Sequence, residues 1–436
     1  MGFDDRALYA GLLLGDQRQQ GPVAADDFRG AGLTHLLAVS GQNVAFVLVI
    51  VGPLLARLRL TPRLLATLAV LLFFALVTRF EPSVLRATAM AGCAAVAVTL
   101  GREADSRRML GVAVVILVLV DPLIARQLAF QLSVAATVGI LLLSHRIASA
   151  LPGPRPLADA VAVTVAAQVA VAPILIPTFG GMPVAALIAN VMAAPATGPV
   201  GVWGMPAGFV AGIVGGRLAE WLHWPTVIMV RWIAKVASIG ASMPLGEVRT
   251  PHLLAIGGGV TLALAAGRRQ RPAEVGTDPN PNLGDVRRHR PASVGRSCGA
   301  LIVILTLVEP AWAIRGGSPA LVTFADGSRL HRDGAAVVLE LDRGARPDVL
   351  LESLRRAAVS HVDVVLARHG GRDVAEAVAV LGHRTPPRLV LAPRDHRVPG
   401  ASVARAGSEV TVGGLVVQVQ RVTSDSVEAV VAARPP

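Results

Sequence analysis

GLTHLLAVSGQNVAFVLVIVGPLLARLRL, residues 32–60, couples a long apolar run to a cluster of arginines. From Leu36 to Leu55 it holds three polar side chains, Ser40, Gln42 and Asn43, and no charge. Arg57 and Arg59 then close it, with Arg63 just beyond. About 20 apolar residues at 1.5 Å rise each cross a hydrocarbon layer of about 30 Å. Flanking arginines mark the side of the membrane that retains positive loops. One such segment is a candidate membrane span, read here as residues 35–56.

The pattern repeats. Further apolar runs lie at about 64–78, 84–100, 109–120, 128–144, 160–177, 183–214, 219–243, 251–266 and 299–314. They predict an α-helical polytopic membrane protein with about ten spans. Composition agrees. Of 436 residues 53% are hydrophobic and 16% charged, against about a quarter charged in soluble domains. Two runs misfit: 109–120 is short, and 183–214 is long and holds Pro195, Pro199 and Pro206. The latter reads as a broken helix or as a Pro-kinked packing helix.

Net charge is +12, and Lys235 is the only lysine. Arginines follow the first, third and fifth runs, which places those loops in the cytoplasm and the N-terminus outside. Residues 1–34 read as amphipathic helices at the membrane surface, with Asp26 or Asp27 as an N-cap. Residues 35–266 form the transmembrane domain. Residues 267–297, with RRQR and RRHR, form a basic cytoplasmic linker. Residues 298–314 make the last span and 315–436 an extracytoplasmic domain.

That last segment changes character. AVVLELD (336–342), VDVVLA (362–367) and RLVLAP (388–393) alternate with helical patterns near 347–358 and 373–382. EVTVGGLVVQVQ (409–420) reads as a hairpin turning at Gly413-Gly414. A small α/β domain follows from that alternation. Cys93 and Cys298 have no metal-type spacing, and no G-x-x-x-x-G-K-[ST] motif occurs.

Polar residues inside apolar runs carry functional information, because a buried polar group in lipid needs a partner or a wet path. His35, Ser40, Asn43, Ser83, Arg86, Gln131, Gln168 and Asn190 qualify, with Gly41 as a point of close helix approach. Helix–helix hydrogen bonds are the alternative role for each. Arg231 and Lys235, near Trp221, Trp224 and Trp232, read as an interfacial belt.

Several stretches resemble the ComEC family of bacterial competence proteins: LLLGD (12–16), GLTHLLAVSGQNV (32–44), EPSVLRATAM (81–90), DPL (121–123), FQLSVAATVGILL (130–142) and FGGMPVAALIANVMAAP (179–195). The resemblance covers roughly residues 8–266. It implies a plasma-membrane, multi-pass channel for single-stranded DNA in natural transformation. The residues above then become DNA-path candidates: His35, Ser40, Gly41, Asn43, Ser83, Arg86, Gln131 and Asn190. A separate DNA receptor and a cytoplasmic helicase or motor are implied partners, besides the lipid bilayer. Where the family reads SG-Leu-His-Val, this sequence has SGQNV. The family's N-terminal OB-type domain has no counterpart in these residues.

Residues 315–436 resemble a degenerate, truncated metallo-β-lactamase-like domain. Of the family's HxHxDH metal motif, His369 and Asp373 remain, while Gly371 and Val374 replace the other histidines. A vestigial pair holds no catalytic metal, so the expectation is no hydrolase and no cofactor. A polytopic transporter or scaffold unrelated to DNA is the alternative function.

Overall fold

The computed structural model describes residues 2–243, 245–252, 320–357, 359 and 361–433. Its helical part opens with α1 (Phe3–Leu14) and α2 (Pro22–Gly30), then a 3₁₀ turn at Thr34–Leu37. It continues through α3 (Gly41–Leu55), α4 (Leu60–Val77), α5 (Pro82–Thr99) and α6 (Ser106–Val120). After a 3₁₀ turn at Pro122–Arg126 come α7 (Leu128–Ala150), α8 (Arg155–Phe179), α9 (Ala185–Val214) and α10 (Gly216–Ser242).

Five of these, α4, α5, α7, α8 and α9, are long and apolar enough to cross a membrane. Leu65, Leu72, Phe73 and Leu76 of α4 are all more than half exposed, a surface that suits lipid rather than water. The ten-span expectation is therefore met in part. Runs 35–56 and 109–120 give helices of 15 residues each, roughly 22 Å and short of the hydrocarbon layer. Run 219–243 gives α10, a 27-residue helix whose buried face holds Val230, Ile233, Val236 and Ala237. Its polar side carries Arg217, Glu220, Arg231 and Lys235, which removes it from the apolar class. Runs 251–266 and 299–314 and the linker 267–297 lie outside the described residues.

Of the two readings of 183–214 the packing helix holds and the broken helix does not: residues 185–214 are one continuous 30-residue helix with Pro195, Pro199 and Pro206 inside it. Packing on α10 holds it together: Trp232 Nε1 donates to Met192 O (2.9 Å) and Trp203 Nε1 to Leu222 O (3.1 Å). Asp26 and Asp27 sit inside α2 rather than at an N-cap, because Pro22 already starts that helix. The core of this part joins Leu8, Leu12 and Leu13 of α1, Phe28 of α2, Ala189 and Val200 of α9, and Val230 and Ile233 of α10.

A two-residue antiparallel bridge pairs β1 (Met182–Pro183) with β2 (Glu247–Val248). It is the small ladder of a second compact unit made of residues 172–184 and the segment that begins at 244.

The C-terminal domain is a mixed sheet covered on both faces. Its strands are β3 (Ala320–Thr323), β4 (Arg329–Asp333), β5 (Ala336–Leu341), β6 (Val364–Ala367), β7 (Leu389–Ala392) and β8 (Ser402–Val403). They lie in that order, antiparallel through β5 and parallel from β5 to β8. The crossovers are α11 (Pro347–Arg356) and α12 (Arg372–Arg384). Side chains alternate along β5, as a strand requires. Val337, Leu339 and Leu341 enter a core with Leu350, Leu354, Ala377 and Leu381 of the helices. Val338 faces Leu415, Val417 and Val419 of a second sheet. That sheet, β9 (Glu409–Val412), β10 (Leu415–Val422) and β11 (Val427–Ala433), has the order β11-β10-β9. Its first turn is Gly413-Gly414, as the sequence predicts, with Gly413 at φ 56°.

Candidate functional site in the helical part

The site forms where the chain enters α3. Ser40 stands just before the helix in an extended conformation, and its hydroxyl reaches Asn43 Oδ1 at 3.4 Å. Asn43 is 5% exposed. Its amide donates to Leu13 O (3.1 Å) and Leu12 O (3.4 Å), the last carbonyls of α1. Helix ends leave such carbonyls without intrahelical partners. Asn43 therefore fastens α3 to α1.

Ser83, in the first turn of α5, donates its hydroxyl to Val39 O. Gly41 lies against the next turn of that helix. A Cβ there would stand 2.7 Å from Arg86 Nη2, 3.0 Å from Ala87 Cβ and 3.6 Å from Ser83 O. The absent side chain is what admits the guanidinium. Arg86 donates from Nε to Ser133 Oγ of α7 at 2.8 Å, and its Nη1 is 3.3 Å from Met90 Sδ, a weak acceptor. Among the described residues Arg86 forms no ion pair. A guanidinium has five N–H donors, and these two contacts use two of them.

Ser40, Gly41, Ser83 and Arg86 are thus brought together from the sequence-derived candidates, with Ser133 added. Ser133 was missed; a small hydroxyl inside FQLSVAATVGI was the available signal. Gln131 is not part of the cluster. It lies two residues, roughly 200° around α7, from Ser133, is exposed, and donates to Ala125 O at 3.0 Å. His35 lies in the 3₁₀ turn, not in a span, and hydrogen-bonds to Asn190 of α9 and to the Gly32 backbone. Asn190 also donates to Ala186 O at 2.7 Å. That pair ties the turn to α9, away from Arg86. Beside Ser40 a small crevice is lined by Gln42, Phe46, Thr197 and Gly201 among others.

Of Arg231 and Lys235, Arg231 is tied to α1. Arg231 donates to the Asp5 carboxylate from Nε (3.1 Å) and Nη2 (2.9 Å), which raises the Arg231 pKa. In the C-terminal domain His369 turns to Asp342, 3.3 Å away, rather than to Asp373, which sits in the first turn of α12. Among the described residues no group of three or more His, Cys, Asp or Glu is placed to hold a metal ion.

A family model described as "Competence protein" matches residues 12–270. The match takes in α3, α5, α7 and the Arg86 cluster and ends before the C-terminal domain. No curated protein and no solved structure matches the chain. Long apolar helices and a family match over more than half of the sequence together assign it: this membrane protein belongs to the competence protein family, whose role is DNA uptake in transformation.

Proposed function

We propose that the chain is a multi-pass channel of the plasma membrane through which single-stranded DNA passes in transformation. The observation that carries the proposal is Arg86. It is a permanent cation within the apolar helix α5, it has no carboxylate partner among the described residues, and its donors are mostly unspent. A cation at membrane depth faces a cavity or a counter-charge, and intramembrane ionisable residues mark ion and substrate paths. Guanidinium binds phosphate through paired hydrogen bonds, and a polyanion supplies phosphates one after another. Single-stranded DNA is received from a separate receptor and drawn in by a cytoplasmic helicase or motor. The C-terminal domain takes no metal pair and does not hydrolyse DNA in this proposal.

The test is transformation by an Arg86 series in a competent host. Arg86→Ala abolishes uptake of labelled DNA while the protein still inserts at normal abundance, and Arg86→Lys retains part of it. Loss of membrane abundance in proportion to lost uptake would make Arg86 a structural residue and end the proposal.

A further inference from the structure

The parallel strands β5, β6 and β7 all end at one edge of the C-terminal sheet, at Leu341, Ala367 and Ala392. The three segments that leave this edge read DRGAR (342–346), RHGGRD (368–373) and PRDHR (393–397), each with two arginines and one aspartate. In open α/β sheets ligands bind outside the carboxyl ends of the strands. The last two segments touch along their backbones. Arg397 N donates to Gly370 O (3.3 Å), and a Cβ on Gly370 would meet Asp395 O at 2.3 Å.

Not all of the charge is neutralised. Arg343 pairs with Asp425 (3.3 Å), Arg346 with Asp348 (2.8 Å), and Arg368 reaches buried Glu340 (4.0 Å). Arg372, Arg394 and Arg397 are exposed and form no ion pair among the described residues. Arg372 is also the first residue of α12, whose N-cap, Gly371, offers no side chain to the free N–H groups and has open space around it. That end of the helix adds positive potential to the arginines beside it.

We infer that this edge binds the phosphodiester backbone of single-stranded nucleic acid through Arg372, Arg394 and Arg397. The proposal rests on the reading of the chain as a carrier of DNA and gives its C-terminal domain a part in it. Arginines spread over loops from strands about 4.8 Å apart fit a row of phosphates better than one compact anion. None of the exposed large hydrophobic residues of the domain, Leu321, Val322, Val403 and Val430, lies in these loops, whereas a surface that docks on lipid pairs its basic residues with apolar ones. The binding needs no metal.

The experiment uses the full chain in neutral-lipid nanodiscs and a short fluorescent oligothymidylate, titrated between about 50 and 200 mM salt. One variant combines Arg372→Ser, Arg394→Ser and Arg397→Ser. A control of equal charge change combines Arg57→Ser, Arg59→Ser and Arg63→Ser. The edge variant binds at least about tenfold more weakly, and its log–log salt slope falls by about 2, since each phosphate contact on a single strand contributes about 0.7. Lysine at the same three positions restores most of the slope and guards against misfolding. Equal behaviour of edge and control variants overturns the proposal. So does an edge variant that loses binding to anionic vesicles but keeps the oligonucleotide. The edge substitutions are also read in an Arg86→Ala background: the edge effect persists there whether or not Arg86 itself contacts DNA, so failure of the channel proposal and failure of this one give different results.

Discussion

Arg86 Nε donates to Ser133 Oγ at 2.8 Å, a bond between α5 and α7 made by residues 47 positions apart. It orients a guanidinium whose other donors stay available. Ser133→Ala removes the acceptor without adding bulk, so uptake falls by less than in Arg86→Ala. The double variant is no worse than Arg86→Ala alone, because groups acting through one contact are not additive. Additive losses in the transformation assay would show that Ser133 acts independently.

Gly41 is the other side of that cluster. In Gly41→Ala the arginine tip can swing away, but Ala87 Cβ at 3.0 Å cannot. Overpacking of this kind costs about 1–3 kcal/mol. The expected result is reduced uptake with moderately lower thermal stability in detergent, and Gly41→Leu should fail to accumulate. Wild-type uptake by Gly41→Leu would contradict the observed approach.

Asp26 of α2 is 1% exposed and accepts from Arg355 of α11 at 2.6 Å and from Arg384 of α12. Asp26→Ala removes the carboxylate shared by both arginines and leaves Arg384 with Asp27 as its carboxylate partner. Breaking a buried pair costs about 3–5 kcal/mol, and the partial exposure of both arginines puts this case near the low end. Melting in detergent reads it directly.

Asp27 behaves differently. Burial pushes its pKa above the ordinary carboxylate value, Arg384 pulls it down, and neighbouring Asp26 pushes it up. In the pH window between its ordinary and raised pKa the folded state holds more protons than the unfolded one. Its contribution to stability therefore declines as pH rises through that window and is flat above it. Asp27→Asn should cost much less at pH 7 than Asp26→Asn, and should flatten the pH profile on the acid side. Equal losses for the two variants would refute the distinction.

For His369, the pair with Asp342 is partly solvated and contributes about 0–1 kcal/mol. His369→Ala should leave stability, zinc content and the absence of DNA cleavage unchanged. Stoichiometric zinc with nuclease activity that this substitution abolishes would overturn the non-hydrolytic reading of the domain.

The apolar runs and the β–α alternation were legible because burial periodicity is written locally. Residues 128–144 and 160–177 became α7 and α8, and Gly413-Gly414 became a hairpin turn. Partners distant in sequence were not. Arg231 read as part of an interfacial belt, and nothing in its own segment points to its partner Asp5, 226 residues earlier. For Asn43 the sequence offered a DNA path or a helix–helix hydrogen bond, and its partner carbonyl at the end of α1 lies 30 residues away. Asp26 suited an N-cap by composition, and only the packing of α11 and α12 on α2 reveals what neutralises it. For α9 the sequence left a broken helix and a packing helix open, and the contacts with α10 that accompany its continuity lie outside its own segment.

The separation of 358 residues between Asp26 and Arg384 also sets an order of assembly during synthesis. At about 5–20 residues per second, the ribosome delivers Arg384 roughly 20–70 s after Asp26. For most of that interval, until Arg355 of α11 is made, α2 carries a carboxylate that has neither of its arginine partners and must stay hydrated. The face of α2 that holds Asp26 can therefore close fully only after α11 and α12 have been made. A nascent chain halted before α11 would hold an open, water-accessible seam there, and α11 and α12 would seal it.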